Sequence, residues 1–464
     1  MAQINSSARN GRRSAGKKTA GQGASGYKRP DTARRRKPAS RLQSRTIAKK
    51  PARKKYPRQG RMDISFFFLV VVLVTIGLVM VFSASYATSL YENKSGLTLV
   101  LKQSVFVAMG LVAMYVLSYI PYQLYFKLYK LIYFGCLLLT AVALLFHDSR
   151  GANRWIKFGG FTFQPSELMK FGLIITFAAL ISINFRQMGT VKKGILPFMM
   201  YLMPVLLVIV LQRHVSCILL MLLICGCMML VAGSRIYYLA ALIPLGLLAY
   251  PIIRMMGFTY IDTRIAAWQN PFLDIQNGSW QVVQSLYAIG SGGLFGVGLG
   301  NSTQKFLWVS EPQNDFIFAI ICEELGLIGA LAIILLFVLF VASGLSIAMR
   351  APDKFSSMVV IGVVFQFGIQ ALLNIAVVTN SMPTTGISLP FFSAGGSATL
   401  MQLAQIGVVL NISRYCRPSI AKTDTDASGS GDAPKNAPKN ALKNAPKEKA
   451  PGDTGIRIIS SHDI

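Results

Sequence analysis

From about Ile64 to Ser413 one apolar run follows another, most of them nearly free of charge. Runs of about 18 residues or more are long enough to carry a helix across the hydrocarbon core of a bilayer. In that medium every backbone N–H and C=O must be satisfied within the segment or the bundle, which favours helices over open strands. The middle of the chain is thereby excluded from folding as a soluble globule. Composition agrees: 53% of the 464 residues are hydrophobic and 14% are charged, where a soluble domain carries about a quarter charged. Mean hydropathy is +0.49.

The runs predict spans near 64–84, 100–119, 126–146, 167–183, 194–211, 215–232, 236–256, 314–346, 356–379 and 393–413. The expected fold class is all-α, a polytopic integral membrane protein of about ten transmembrane helices. A large extracytoplasmic loop is expected between the seventh and eighth. Cytoplasmic loops are enriched in Lys and Arg. Placing the basic N-terminal segment inside puts Arg186, Lys192, Lys193, Arg235, Arg350 and Lys354 inside as well, followed by Arg414 and Arg417. Both termini are then cytoplasmic.

The formal charge of +29 is unevenly spread: residues 1–61 hold 20 Lys or Arg against one acid, Asp31. This segment is rich in Gly, Ala, Ser and Pro without apolar periodicity, and is expected to be a disordered cytoplasmic tail. A nucleic-acid role is the alternative for such charge, but beside membrane spans attraction to anionic lipid is the simpler expectation. No short apolar segment with a small-residue cleavage site follows it, so it does not read as a cleavable signal. The membrane domain is expected over 62–416. A second polar tail, 417–464, carries a four-residue repeat beginning Ala433-Pro-Lys-Asn, whose prolines suit a flexible tether. The six cysteines sit in or beside apolar runs without metal or disulfide spacing, and the three histidines are scattered.

Three segments between spans are candidates for chemistry: Asp148 to Glu167, Gly257 to about Asn314, and Asn380 to Phe392. The second is too long and too aromatic for a bare connector. Its glycine-dense stretch Ala288–Gly300 could wrap a diphosphate, yet lacks the strand–helix context or Lys-Ser/Thr of known phosphate loops. Tight turns between short interfacial helices are the alternative. Asp315 stands where this segment meets the eighth span, and Glu323 and Glu324 lie about 12–14 Å further along a helix. Ionisable groups in a span default to functional hypotheses. A structural ion pair or cap is the alternative for Glu323 and Glu324. Arg154 and Lys157 flank Trp155 at the membrane boundary, where anchoring is also a sufficient role. Glu167 and Lys170, three apart at the start of the fourth span, are placed to pair.

Several motifs in this order resemble one family, the SEDS (shape, elongation, division and sporulation) peptidoglycan glycosyltransferases. They are Gly77-Leu-Val-Met-Val-Phe-Ser-Ala-Ser85, Arg154-Trp155, Gln164-Pro-Ser-Glu-Leu-Met-Lys170, Gln284-Ser-Leu-Tyr-Ala-Ile-Gly290, Asp315-Phe-Ile-Phe-Ala-Ile, Glu323-Glu-Leu-Gly326 and Thr385-Gly-Ile-Ser-Leu-Pro-Phe-Phe-Ser-Ala-Gly-Gly-Ser397. The resemblance covers about 62–416 and is nearer the division-type FtsW or sporulation-type SpoVE than the rod-elongation RodA. It implies a ten-helix membrane fold that uses lipid II, with a class B penicillin-binding protein, a transpeptidase, as partner alongside other division-machinery proteins. It also implies location in the cytoplasmic membrane at the septum and no nucleic-acid partner. The family's catalytic aspartate matches Asp315, its functional cation Arg154, and its acid–base pair Glu167 and Lys170. Departures stand at His214, where members carry an acid, at Ala394 within Ser393-Ala-Gly-Gly396, and at Val309-Ser-Glu311, where Leu-Pro-Glu is usual.

On that resemblance, Asp315 is expected to act as general base on the acceptor 4-hydroxyl, which attacks the donor's anomeric carbon. Arg154, Lys157, Arg264 and Lys305 are the expected cations for the leaving diphosphate, with a divalent cation, Mg or Mn, as a further expectation. Glu311, Glu323, Glu324 and Ser393 are expected as structural or cavity-lining polar groups, together with Glu167 and Lys170. A lipid II flippase and a non-catalytic division scaffold are the rival readings.

Overall fold

The computed structural model describes residues 60–416, apart from 92–94, 147–152, 159–160, 238–259, 274, 276–278, 307 and 310. The two tails and nearly all of the expected span at 236–256 therefore lie outside the described residues. The helices in chain order are α1 (Ile64–Tyr91), α2 (Thr98–Leu117), α3 (Gln123–Val142), α4 (Pro165–Asn184), α5 (Leu196–Leu211), α6 (Val215–Val231), α7 (Tyr260–Gln269), α8 (Trp280–Gly292), α9 (Ile317–Arg350), α10 (Lys354–Val378) and α11 (Gly396–Ser413). A two-stranded antiparallel ribbon, β1 (Ile156–Phe158) with β2 (Phe161–Phe163), precedes α4. Among the described residues α1, α2, α3, α4, α9 and α10 are long and apolar enough to cross a bilayer, and α5 and α6 are shorter apolar helices.

The bundle is built by sorting faces. α4 and α10 are buried almost all round and form its centre, while α1, α2 and α3 keep wide apolar faces exposed to the surroundings. α2 packs on α11, α9 on α10, and α3 and α10 on α4. An aromatic column crosses the interior: Phe66 on α1, Phe340 on α9, Phe367 on α10 and Phe391, with successive ring centroids 5.2, 5.6 and 5.1 Å apart. Phe391 takes a left-handed backbone, φ 67°, a strain of about 1–3 kcal/mol. Burial of its ring, about 1.5–3 kcal/mol, and a hydrogen bond from its backbone N–H to Gln402 Oε1 at 3.0 Å offset that strain.

At one end of the bundle, polar clasps join the helix ends. Asp63 accepts from Arg350 (3.1 Å), its N–H donates to Ser413 Oγ (3.0 Å), and its carboxylate caps Phe66 N–H at the start of α1. Tyr122 donates to Asp353 (2.6 Å), whose side chain also closes a capping box with Ser356 at the start of α10. Asp315 lies at the other end.

The expected single span at 314–346 is corrected by a break. Gly326 has φ 68° and ψ −170°, so α9 divides into a half-helix, Ile317–Leu325, and the span that follows. The glycine-dense segment after α8 satisfies the backbone groups released there. Val297 and Gly298 N–H donate to the carbonyls of Glu323 and Glu324, and Leu327 and Ile328 N–H donate to those of Gly293 and Leu294. A Cβ on Gly326 would stand 2.3 Å from Gly296 N. The glycines here serve tight backbone pairing with the broken helix, which leaves those groups committed within the protein.

Candidate active site

Asp315 sits in the turn before α9, on the wall of a polar cavity of ≈ 290 Å³. The turn is fixed from both sides. Asn374, fully buried on α10, donates from Nδ2 to the Asp315 carbonyl (2.7 Å) and to that of Ile387 (2.8 Å). Gln313 O accepts from Ala394 N–H (2.9 Å). The segment 380–395 is thus drawn against the turn, and the helices around it supply further side-chain donors. Gln103 on α2 donates to Ser393 O (3.2 Å), Gln370 on α10 to Ser388 O (2.9 Å), Arg264 on α7 to Thr384 O (3.1 Å), and Ser216 on α6 to Thr385 O. Gly386, at φ 72°, lets the chain pass so close that a Cβ there would meet Asp315 Oδ2 at 3.4 Å.

The same cavity is lined by Arg154, Trp155, Glu167, Lys170, His214 and Glu311, so the first intermediate segment, the start of α4 and the α5–α6 turn all reach it. Pro165 opens α4 at its first turn, where the missing N–H costs nothing. One turn on, Lys170 Nζ meets Glu167 Oε1 at 2.8 Å in a largely buried pair. Four buried polar atoms of the lining have no protein partner: Arg154 Nε, Glu167 Oε2, His214 Nδ1 and Gln370 Oε1. Buried polar atoms are ordinarily satisfied. Around the cavity these atoms are available to a polar ligand or water.

Burial and the neighbouring Glu311 charge push the Asp315 carboxyl up to about 6, against the opposing pull of Arg154 and Arg264. Burial, then the charges of Arg154 and Lys170, push His214 down to about 3, so its ring is neutral and offers hydrogen bonds without charge. A carboxyl raised by desolvation beside specific charges, in a cleft, is a candidate for a reacting group.

Of the residues expected at the site, Asp315, Arg154, Glu167, Lys170, Glu311 and Ser393 line this cavity together. Arg264 stands beside it, close enough to act on Asp315. Lys157 is exposed on β1 and does not line it. Lys305, expected at the diphosphate, lies elsewhere: it is 2% exposed and paired with Glu324 at 3.1 Å, because the long segment dives between α1 and α9 at that point. Glu323 is likewise committed to the protein, accepting from Thr303 N–H (2.9 Å), Ser302 Oγ and Thr303 Oγ1. Asn374 and Gln370 were not singled out by sequence reasoning. A buried amide in an apolar span was the signal available for them.

Taken with the bundle, this geometry defines a polytopic membrane protein with a polar, acid-and-cation cavity at one end of its spans. The family described as cell cycle protein, the FtsW, RodA and SpoVE group, matches residues 63–418, and the chain belongs to it. Stage V sporulation protein E of Bacillus subtilis is 37% identical over 358 residues, covering 76% of this chain and 98% of that protein. A probable peptidoglycan glycosyltransferase FtsW of Geobacter sulfurreducens is 36% identical over 358 residues, covering 76% and 95%. Among solved structures, a chain of a peptidoglycan synthase complex studied for the coordination of polymerization and crosslinking aligns with TM-score 0.64 at 28% identity, covering 76% and 98%. The rod shape determining protein RodA of Thermus thermophilus aligns with TM-score 0.57 at 26% identity, covering 76% and 97%.

Proposed function

We propose that the chain is a peptidoglycan glycosyltransferase that polymerises lipid II into β-1,4-linked glycan at the outer face of the cytoplasmic membrane, in division or sporulation. The observation that carries the reading is the Asp315 carboxyl, raised to about 6 on the wall of a cavity it shares with Arg154. A base with that pKa is largely ionised at neutral pH yet accepts a proton more readily than an ordinary carboxylate. Asp315 takes the proton from the acceptor 4-hydroxyl as its oxygen attacks the donor's anomeric carbon. The C–O bond to the diphosphate breaks with inversion, and the bonding pair leaves on the phosphate oxygen. Arg154, with Arg264 nearby, meets the developing charge, and Lys170 and neutral His214 supply further polar contacts along the lining. Lys157, exposed on β1, is assigned the anchoring role at the membrane boundary rather than a place in the cavity.

Among the described residues no group of three His, Cys, Asp or Glu side chains is placed to hold a metal ion. Mg or Mn is commonly held by one or two carboxylates together with substrate phosphates rather than by an all-protein cage. Asp315 and Glu311 of the lining, with the lipid diphosphate, would hold such an ion and let it offset the diphosphate charge. The related synthase complex coordinates polymerization and crosslinking, which supports a crosslinking partner. We assign a class B penicillin-binding protein and a septal location on the motif resemblance, and both termini to the cytoplasm on the Lys/Arg distribution.

Purified full-length protein in liposomes with labelled lipid II tests the activity. Glycan ladders that vanish in Asp315→Asn are expected. Translocation without polymer would establish a flippase, and neither activity a scaffold; either result overturns the proposal. Co-purification with the cognate transpeptidase tests the partner.

A further inference from the structure

A second buried polar cluster lies outside the cavity and takes no part in the chemistry above, yet it grips the half-helix that follows Asp315. The break at Gly326 separates Ile317–Leu325 from the membrane span, so helical continuity does not orient this segment. Asn374 holds the Asp315 carbonyl just before its N-terminal end. At its C-terminal end, Glu324 accepts from Ser83 Oγ on α1 at 2.6 and 2.7 Å and from Lys305 Nζ at 3.1 Å. Lys305 in turn donates to Ser83 Oγ (3.3 Å) and Gly300 O (2.5 Å). Lys305 and Glu324 are 2% and 1% exposed, so the pair is shielded from water and salt.

We propose that Lys305, Glu324 and Ser83 are positioning residues that anchor the far end of the half-helix to α1 and so set where Asp315 stands in the cavity. The inference rests on Asp315 being the reacting carboxylate. Lever geometry supports it. The half-helix is about 13 Å long at 1.5 Å per residue, so a tilt of about 5° moves its other end by about 1 Å. A displacement of that size can cost about 10²-fold in rate.

Removing one partner of a buried ion pair strands the other charge, whereas removing both is tolerated. The informative variants are therefore Lys305→Met combined with Glu324→Gln, and Ser83→Ala, which leaves the pair intact. Both are compared with wild type and Asp315→Asn as full-length protein in liposomes with lipid II. The double variant is expected to lose about 10- to 100-fold in kcat with KM within about twofold and a melting temperature close to wild type. Ser83→Ala should lose about 3- to 10-fold in the same manner. Wild-type kcat in both variants, or a loss confined to KM, overturns the positioning role. Should the double variant fail to fold, Ser83→Ala alone decides. A wild-type protein that makes no glycan instead defeats the reading of the activity, which separates the two failures.

Discussion

Burial has moved the Asp315 carboxyl well above the ordinary carboxylate range, and its surroundings yield signed predictions. Polymerisation should fall as pH drops through about 6, because the base is lost on protonation. Glu311→Gln removes a charge that raises the Asp315 pKa, so the acid limb should move to lower pH. Arg154→Met removes a charge that lowers it, so the limb should move up, on top of any loss of rate. The pH dependence of kcat/KM for glycan synthesis measures all three. Stability carries the same signature. The folded pKa stands above the usual carboxylate value of 3.8, so ionising Asp315 costs stability that is lost as pH rises from about 4 through 6. Asp315→Asn should therefore melt above wild type at pH 8, with the gap closing near pH 4.

At the scale of elements, the site depends on segments that are irregular for a reason. The segment 380–395 has little secondary structure of its own, so side chains from five helices satisfy it, Asn374 bonding it to the Asp315 turn. Asn374→Ala would leave two carbonyls without that donor, each at about 1–3 kcal/mol if left unsatisfied. A lower melting temperature together with reduced glycan synthesis is expected. Gly386→Ala forces a side chain into φ 72° beside Asp315, at about 1–2 kcal/mol. Its effect on activity should exceed its effect on melting temperature, because the added methyl faces the carboxylate. The apolar run at 314–346 announced a helix but not the turn that breaks it. Gly326 alone is too weak a signal, because the pairing that makes the break stable comes from Gly293 to Gly298 on another segment.

Across the whole molecule, the charge pattern places Arg186, Arg235, Arg350 and Lys354 on one side and the Asp315 cavity on the other. Single cysteines in a cysteine-free background test this. One at Ser381 should react with an impermeant maleimide in intact cells, and one at Ser357 only after permeabilisation. That the chain is a succession of apolar helices, and their order, was legible in the sequence because a span is a local object. Its apolar length and its internal backbone bonds are set by neighbours along the chain. Asp315 and Arg154 were legible as candidates because a charge at the edge of an apolar run is costly wherever the rest of the chain goes. Which polar groups meet was decided by the tertiary structure. Ser83 and Glu324 are 241 residues apart in sequence and bond at 2.6 Å, and Lys305, expected at the diphosphate on the motif resemblance, is instead ion-paired with Glu324 beside them. Desolvation inside the bundle makes an unpartnered charge expensive, so the packing of distant helices determined which cations were committed to the interior and which stayed at the cavity.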